Sequence, residues 1–187
     1  MINPSLSDNA SDIELIELAL IGEQYAFTEI VHRHKSRIAS TIHGMIGCCD
    51  EADDIGQEVF IRFFRKMEAF RGESALSTYL TRIAINLSLN EIKKRKRKKI
   101  FSLSQMIEER KDFVDHSSFE TSYDNIEIVR MAVQKLVPKH RIVIVLRLIE
   151  GYSSEETAKI LNLPVGTVLS RLARAQKILK EFIKPNS

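Results

Sequence analysis

The sequence predicts an all-α protein made of two small helical domains joined by a flexible linker, and three observations lead there. Apolar residues recur at three- and four-residue spacing along most of the chain, the signature of helices with one buried face. That periodicity lapses between Phe101 and Asn125, a stretch rich in Ser, Asp and Glu, which sets the division at residues 1–99, 100–125 and 126–187. Beyond the lapse, Ser153 to Pro164 carries the capping and turn residues of a helix, a tight turn and a second helix.

The first domain opens on Ser11 and Glu14, a capping box, followed by Ile13, Leu15, Ile16, Leu18 and Ala19 in a short helix that stops near Gly22. A longer helix places Phe27, Ile30, Val31, His34, Ile38, Ile42 and Met45 on one stripe, where His34 reads as a partly buried, hydrogen-bonded residue. Asp50 is the expected cap of a third helix whose core stripe is Ile55, Val59, Phe63 and Met67, widened by Phe60 and Phe64. The outer face of that helix is acidic at its start (Asp53, Asp54, Glu58) and basic at its end, which complements the helix dipole and also suits a basic protein partner.

A small-residue loop, Phe70 to Ser77, then feeds a fourth helix with the stripe Leu76, Leu80, Ile83, Ala84 and Leu87. It runs into seven consecutive cations, Lys93 to Lys99. With 28 Lys and Arg against 25 Asp and Glu the net charge is only +3, so the positive charge is concentrated in patches. Such a patch fits nucleic-acid phosphate, though a solvated helix end would look the same. The next stretch turns acidic (Glu108, Glu109, Asp112, Asp115, Glu120, Asp124) and reads as the linker, with a short helix over Leu103 to Arg110.

The second domain starts with Ile126, Val129, Val133 and Leu136 on one helix face, closed before Pro138. Arg141 to Glu150 follows, ended by Gly151; its run Ile142-Val143-Ile144-Val145 has strand character, but no partner strand exists in the chain and helix is the expectation. Ser153 and Glu156 form a second capping box, Ala158 is small where helices cross, Asn162 accepts a left-handed turn, and Pro164 begins the last helix. There Val168, Leu172, Ala175 and Leu179 face inward and Thr167, Ser170, Arg171, Arg174 and Lys177 outward, an arrangement that serves a major groove.

Several function classes fall away. No apolar run approaches the ~18 residues of a membrane span, and the N-terminus lacks the charged and apolar segments of a secretion signal, so a cytoplasmic location is expected. Cys48 and Cys49 are adjacent, the wrong spacing for a CxxC site, and with His32, His34 and His43 they match no metal scheme. Neither a metal nor a cofactor is expected. Catalysis is not expected either: Asp53 and Asp54 point about 100° apart on a helix, and no other carboxylates converge with a histidine. From the residues alone, a stand-alone helix-turn-helix regulator remains the alternative to a part of a larger machine.

Three segments in register resemble a known family, the extracytoplasmic-function (ECF, group 4) sigma factors of bacterial RNA polymerase, in the sigma-70 family. They are Asp53-Asp54-Ile55-Gly56-Gln57-Glu58-Val59-Phe60-Ile61; Phe70-Arg71-Gly72-Glu73-Ser74 with Tyr79-Leu80-Thr81-Arg82-Ile83-Ala84-Ile85-Asn86; and Pro164 to Leu172. The resemblance implies a sigma-2 domain followed by a sigma-4 domain, and partners in core RNA polymerase (the β′ coiled coil and the β flap), promoter DNA and an anti-sigma factor. It implies that Asp54, Gln57, Glu58 and Ile61 dock on the β′ coiled coil. The −10 element would be held by Phe70, Arg71, Ser74, Ser77, Tyr79, Arg82, Asn86 and Lys93, and the −35 element by Thr167, Ser170, Arg171, Arg174 and Lys177. Tyr79 stands where the family usually has tryptophan, and Leu169 where many relatives carry a basic residue, so base preference does not transfer.

Overall fold

The computed structural model describes residues 10–108 and 125–183, which form eight α-helices and no strand. Helix α1 (Asp12–Leu20) starts as expected: the Ser11 hydroxyl accepts from the Glu14 N–H while the Glu14 carboxylate accepts from the Ser11 N–H at 2.6 Å. Helix α2 (Gln24–Ile46) is the spine, in contact with α1, α3 (Asp50–Lys66) and α4 (Leu76–Glu108) and also with elements of the second half. His34 is held by Asp12 at 3.1 Å, as its place in the stripe suggests.

Two details of α3 differ from expectation. Its cap position is Cys49, with extended backbone and no side-chain bond to the helix's first N–H groups, and Asp50 instead joins Glu51 and Asp53 in the first turn, where negative charge meets the free N–H groups. Phe60 and Phe63 are buried but Phe64 is 56% exposed. At 3.6 residues per turn Phe64 lies about 100° around from Phe63, past the edge of the stripe, where it meets only the edge of the Phe27 ring at 5.0 Å. A 3-10 turn, Met67–Ala69, carries the chain from α3 to the loop before α4.

Helix α4 buries Leu76, Leu80 and Ala84 as expected, with Ile83 and Leu87 half-buried, and adds a second buried stripe of Thr81, Ile85 and Ser88. It does not stop after the basic run but continues to Glu108, absorbing the start of the short helix expected at Leu103. No Gly or Pro occurs between Glu73 and Val137, so nothing in the covalent chain ends it, and Lys and Arg are good helix formers. The remainder of the expected linker, with Glu109, Asp112, Asp115, Glu120 and Asp124, lies outside the described residues.

In the second half, α5 (Asn125–Lys135) contributes Ala132 and Val133, with Leu136 after it, to a small core shared with Ile144, Ala175 and Leu179. Ile126 and Val129, expected inside, are 59% and 44% exposed, because only the last turns of α5 reach that core. Helix α6 (Pro138–Ile144) has proline in its first turn and runs into a π-helical turn, Val145–Ile149, in which the Glu150 N–H reaches back to the Val145 carbonyl at 2.9 Å. Gly151, at φ +75°, ends it. The β-branched run is helical because both of its sides are covered: Ile142, Val143 and Val145 enter the large core of the first half while Ile144 enters the small one. Helices α7 (Ser154–Leu161) and α8 (Val165–Ile183) complete the chain.

Phe63 has no exposed surface, and the rings of Phe27, Phe70 and Tyr79 surround it at centroid distances of 6.1 to 6.4 Å. Phe63→Ala should cost about 3–5 kcal/mol, read as a lowered urea midpoint with unchanged slope, and Phe63→Leu distinctly less.

Candidate nucleic-acid interface

The loop before α4 is built on aromatic packing. The Phe70 N–H donates to the Met67 carbonyl at 3.0 Å, and its ring meets the Tyr79 ring edge-on at 5.2 Å. Tyr79 is fixed in turn by the first turn of α4, its N–H donating to the Ala75 carbonyl at 3.1 Å. A recess of about 750 Å³ opens between loop and helix. Phe70, Arg71, Ser74, Tyr79 and Arg82 line it from the first half, while Glu156 and Lys159 of α7 wall the other side. Five of the eight residues expected at one nucleic-acid site are thus brought together.

The other three follow along the helix. Ser77 is half-buried in the first turn of α4, outside the recess, and Asn86 and Lys93 are exposed. Tyr79, Asn86 and Lys93 are spaced by seven, which on an α-helix keeps them within about 20° per step of one line and moves about 10 Å per step. A strand held at the recess can therefore continue along this face toward the cations.

The basic run is not uniform. Lys93, Lys96, Arg97, Lys98 and Lys99 are exposed, but Arg95 turns inward. Its guanidinium donates to the Ile46 carbonyl at 3.2 Å and to Cys49 Sγ at 2.9 Å, and pairs with Glu51 at 3.1 Å and Glu91 at 3.3 Å. It pins the middle of α4 to the corner between α2 and α3, a structural role that the unbroken run of cations conceals. Cys48 and Cys49 are free thiols, and among the described residues no three His, Cys, Asp or Glu side chains are grouped to hold a metal.

On α3, Asp54, Gln57, Glu58 and Ile61 fall at i, i+3, i+4 and i+7 on the face opposite Phe63. Glu58 is half-buried and pairs with Arg62 at 2.7 Å; the other three are exposed. An acidic, hydrogen-bonding strip with one bare apolar residue results.

The helix-turn-helix geometry matches its sequence signals closely. Ser153 and Glu156 cap each other across the first turn of α7, and the Ser153 N–H holds the Glu156 carboxyl below its usual range. Asn162 sits at φ 51°, ψ 53°, and the Pro164 carbonyl accepts from the Thr167 and Val168 N–H groups to start α8. Thr167, Ser170, Arg171, Arg174 and Lys177 share one side of α8; Ser170, Arg174 and Lys177 are exposed, Thr167 and Arg171 half-buried. His140 on α6, a residue missed because it is 27 or more positions away in sequence, lies within reach of this patch: it is only 8% exposed, and its pKa is lowered by burial first and then by the charges of its neighbour Lys139 and of Arg174 and Arg171. Among the described residues no helix is long and apolar enough to cross a membrane.

Residues 30–98 match the family model of sigma-70 region 2, and residues 126–179 that of sigma-70, region 4. The chain is similar to the ECF RNA polymerase sigma-E factor of Escherichia coli (strain K12), 32% identical over 188 residues that cover 96% of this chain and 98% of that protein. It is also similar to the ECF RNA polymerase sigma factor SigW of Bacillus subtilis (strain 168), 34% identical over 173 residues, 87% of this chain and 91% of that one. Its fold is similar to CnrH, solved in complex with the cytosolic domain of CnrY (TM-score 0.68, 24% identity, 96% of this chain and 100% of that one). It is likewise similar to the sigma factor RpoE solved with the anti-sigma factor NepR from Bartonella quintana (TM-score 0.64, 22% identity, 86% and 98%).

His140 gives the patch a pH signature. The unfolded chain takes up a proton near the ordinary histidine value of about 6.5, while the folded chain resists it, so stability is fully present above that pH and is lost as pH falls below it. Urea midpoints should fall between neutral and mildly acidic buffer in the wild type, and His140→Gln should flatten that dependence.

Proposed function

The chain belongs to the ECF sigma factors of the sigma-70 family and acts in transcription initiation, and from that premise we propose how its residues divide the work. Residues 1–99 form the unit that docks on core RNA polymerase and captures the −10 element; residues 126–187 read the −35 element; residues 100–125 connect them. The chain works in the cytoplasm, as a non-catalytic subunit without cofactor.

The observation that carries this reading is one helix, α4, that begins at an aromatic recess and carries a run of exposed cations further along its length. Melted −10 DNA needs both. An unstacked base gains a protein surface in place of its neighbours, and the backbone gains counter-charge. Tyr79 and Phe70 provide the ring surface, Arg71, Ser74 and Ser77 the polar edges of the loop, and Arg82, Asn86 and Lys93 the path along the helix.

The strip of Asp54, Gln57, Glu58 and Ile61 docks on the β′ coiled coil, its negative charge suiting a basic partner and repelling DNA. Helix α8 enters the major groove of the −35 duplex, with Thr167 and Ser170 near its N-terminus and Arg171, Arg174 and Lys177 along it. The second half also contacts the β flap. An anti-sigma factor is a further partner, a reading supported by the structurally similar sigma factor RpoE, which was solved with the anti-sigma factor NepR.

In vitro transcription with core polymerase tests the assignment. Asp54→Lys with Glu58→Lys should abolish retention on core polymerase, and a retained double variant would refute the docking strip. Arg171→Ala and Arg174→Ala should each lower promoter occupancy about tenfold if they contact bases, and each lost phosphate contact should flatten the log–log salt dependence by about 0.9. Tyr79→Ala should impair open-complex formation at unchanged −35 binding, and Tyr79→Trp should preserve it.

A further inference from the structure

Most of the basic run on α4 lies beyond the path proposed for the −10 strand. Lys93, Lys94, Lys96, Arg97, Lys98 and Lys99 are all exposed, and only Lys93 belongs to that path. The two residues that follow are apolar and equally bare: Ile100 is 58% exposed and Phe101 65%.

Spacing gathers part of this stretch onto one side. Lys93, Lys96, Arg97, Ile100 and Phe101 stand at i, i+3, i+4, i+7 and i+8, which is one face of an α-helix. Three cations and then two apolar residues compose it. Arg95 fixes the direction in which that face points. At 3.6 residues per turn Arg95 lies roughly 170° around from the centre of the stripe. It is bound to the Ile46 carbonyl, to Cys49 Sγ and to Glu51 at the corner of α2 and α3, so the stripe faces away from the bundle. Glu51 and Glu91 are drawn to Arg95 on the inward side, which keeps those carboxylates off the stripe. Lys94 pairs with Glu91 at 3.5 Å, but among the described residues no ion pair engages Lys93, Lys96 or Arg97.

The order of residues along this face separates one ligand from another. Tyr79, Asn86 and Lys93 descend α4 in steps of seven, and the next step is Ile100, where a phosphate backbone would need a further donor or cation. An anionic lipid surface matches both parts of the stripe. Its phosphates meet the cations, and the acyl boundary a few ångströms deeper takes the apolar side chains. Lysine and arginine suit such a boundary because their aliphatic stems lie along apolar surface while the charge stays in water. Six exposed cations within seven residues also reach the density, about four to eight, at which basic clusters attract anionic headgroups.

We propose that the outer face of α4 from Lys93 to Phe101 is a membrane-surface site: it lays the chain on an anionic bilayer, with Ile100 and Phe101 in the headgroup boundary and Lys93, Lys96 and Arg97 on lipid phosphates. The contact is peripheral, since among the described residues no helix is long and apolar enough to cross a bilayer.

Vesicle flotation with the full chain tests the site. The wild type should float with vesicles containing phosphatidylglycerol and not with phosphatidylcholine alone, and added salt should weaken the association. Lys96→Gln and Arg97→Gln should each lower vesicle affinity about fivefold. Ile100→Ser with Phe101→Ser should lower it about tenfold or more, with binding to single-stranded DNA unchanged. All four positions tolerate polar side chains because they are exposed or at the helix surface, and far-UV circular dichroism should match the wild type. The chain has no tryptophan, so Ile100→Trp supplies a single probe whose emission should shift to the blue on anionic vesicles and be quenched by brominated acyl chains. No flotation with anionic vesicles would overturn the membrane site. So would flotation that the double serine variant retains with the tryptophan emission unshifted. Loss of DNA binding in the double serine variant, with vesicle binding intact, would also overturn it and assign the stripe to nucleic acid.

Discussion

Both halves of the molecule are referred to a single helix, α2, and they share it only because position 44 has no side chain. One side of α2 carries Ile30, Ile38, Ile42 and Met45 into the bundle with α1, α3 and α4. Near its end, Gly44 lets the π-helical turn approach so closely that Val145 fills the place of a Cβ. That contact explains the composition of α6: a helix enclosed by two cores needs apolar residues all around, and Ile142-Val143-Ile144-Val145 supplies them at some cost in helix propensity. The π turn also follows from this setting, since a widened turn is tolerated where surrounding packing holds it.

The site is positioned by the same economy of anchors. Phe63 supports Phe70 and Tyr79 from below, so the ring surface of the recess is an extension of the hydrophobic core and inherits its rigidity. Arg95 fixes α4 near its middle by tying it to the α2–α3 corner, leaving the neighbouring cations to solvent. Opposite charges are grouped: the acidic strip faces out from the first turns of α3, and the exposed cations from the later turns of α4 and from α8.

What was legible in the sequence was what is local. The two capping boxes, the left-handed Asn162 and the stripes of α2, α3 and α8 depend on residues within a turn or two of each other, and they appear where spacing places them. The recess was legible in large part, since Phe70, Arg71, Ser74, Tyr79 and Arg82 lie within 13 consecutive residues. The errors came from context. Ile126 and Val129 have the right period but no partner surface, Phe64 lies just off the stripe, and the continuation of α4 to Glu108 rests on the absence of a breaker, which composition statistics underweight. Arg95 is indistinguishable from its neighbours until α2 and α3 are folded beside it. His140 meets the charges of Arg171 and Arg174 only through the tertiary fold.

The seam between the halves was wholly illegible, because Thr81 and Tyr152 are 71 residues apart and nothing local to either segment marks the other as its partner. The consequence falls on the loop before α4: Arg82, expected to face a nucleic acid, donates to the Lys159 carbonyl at 2.8 Å, and Glu156 places a carboxylate at the recess, so a long-range contact resets the charge that local spacing leads one to expect there.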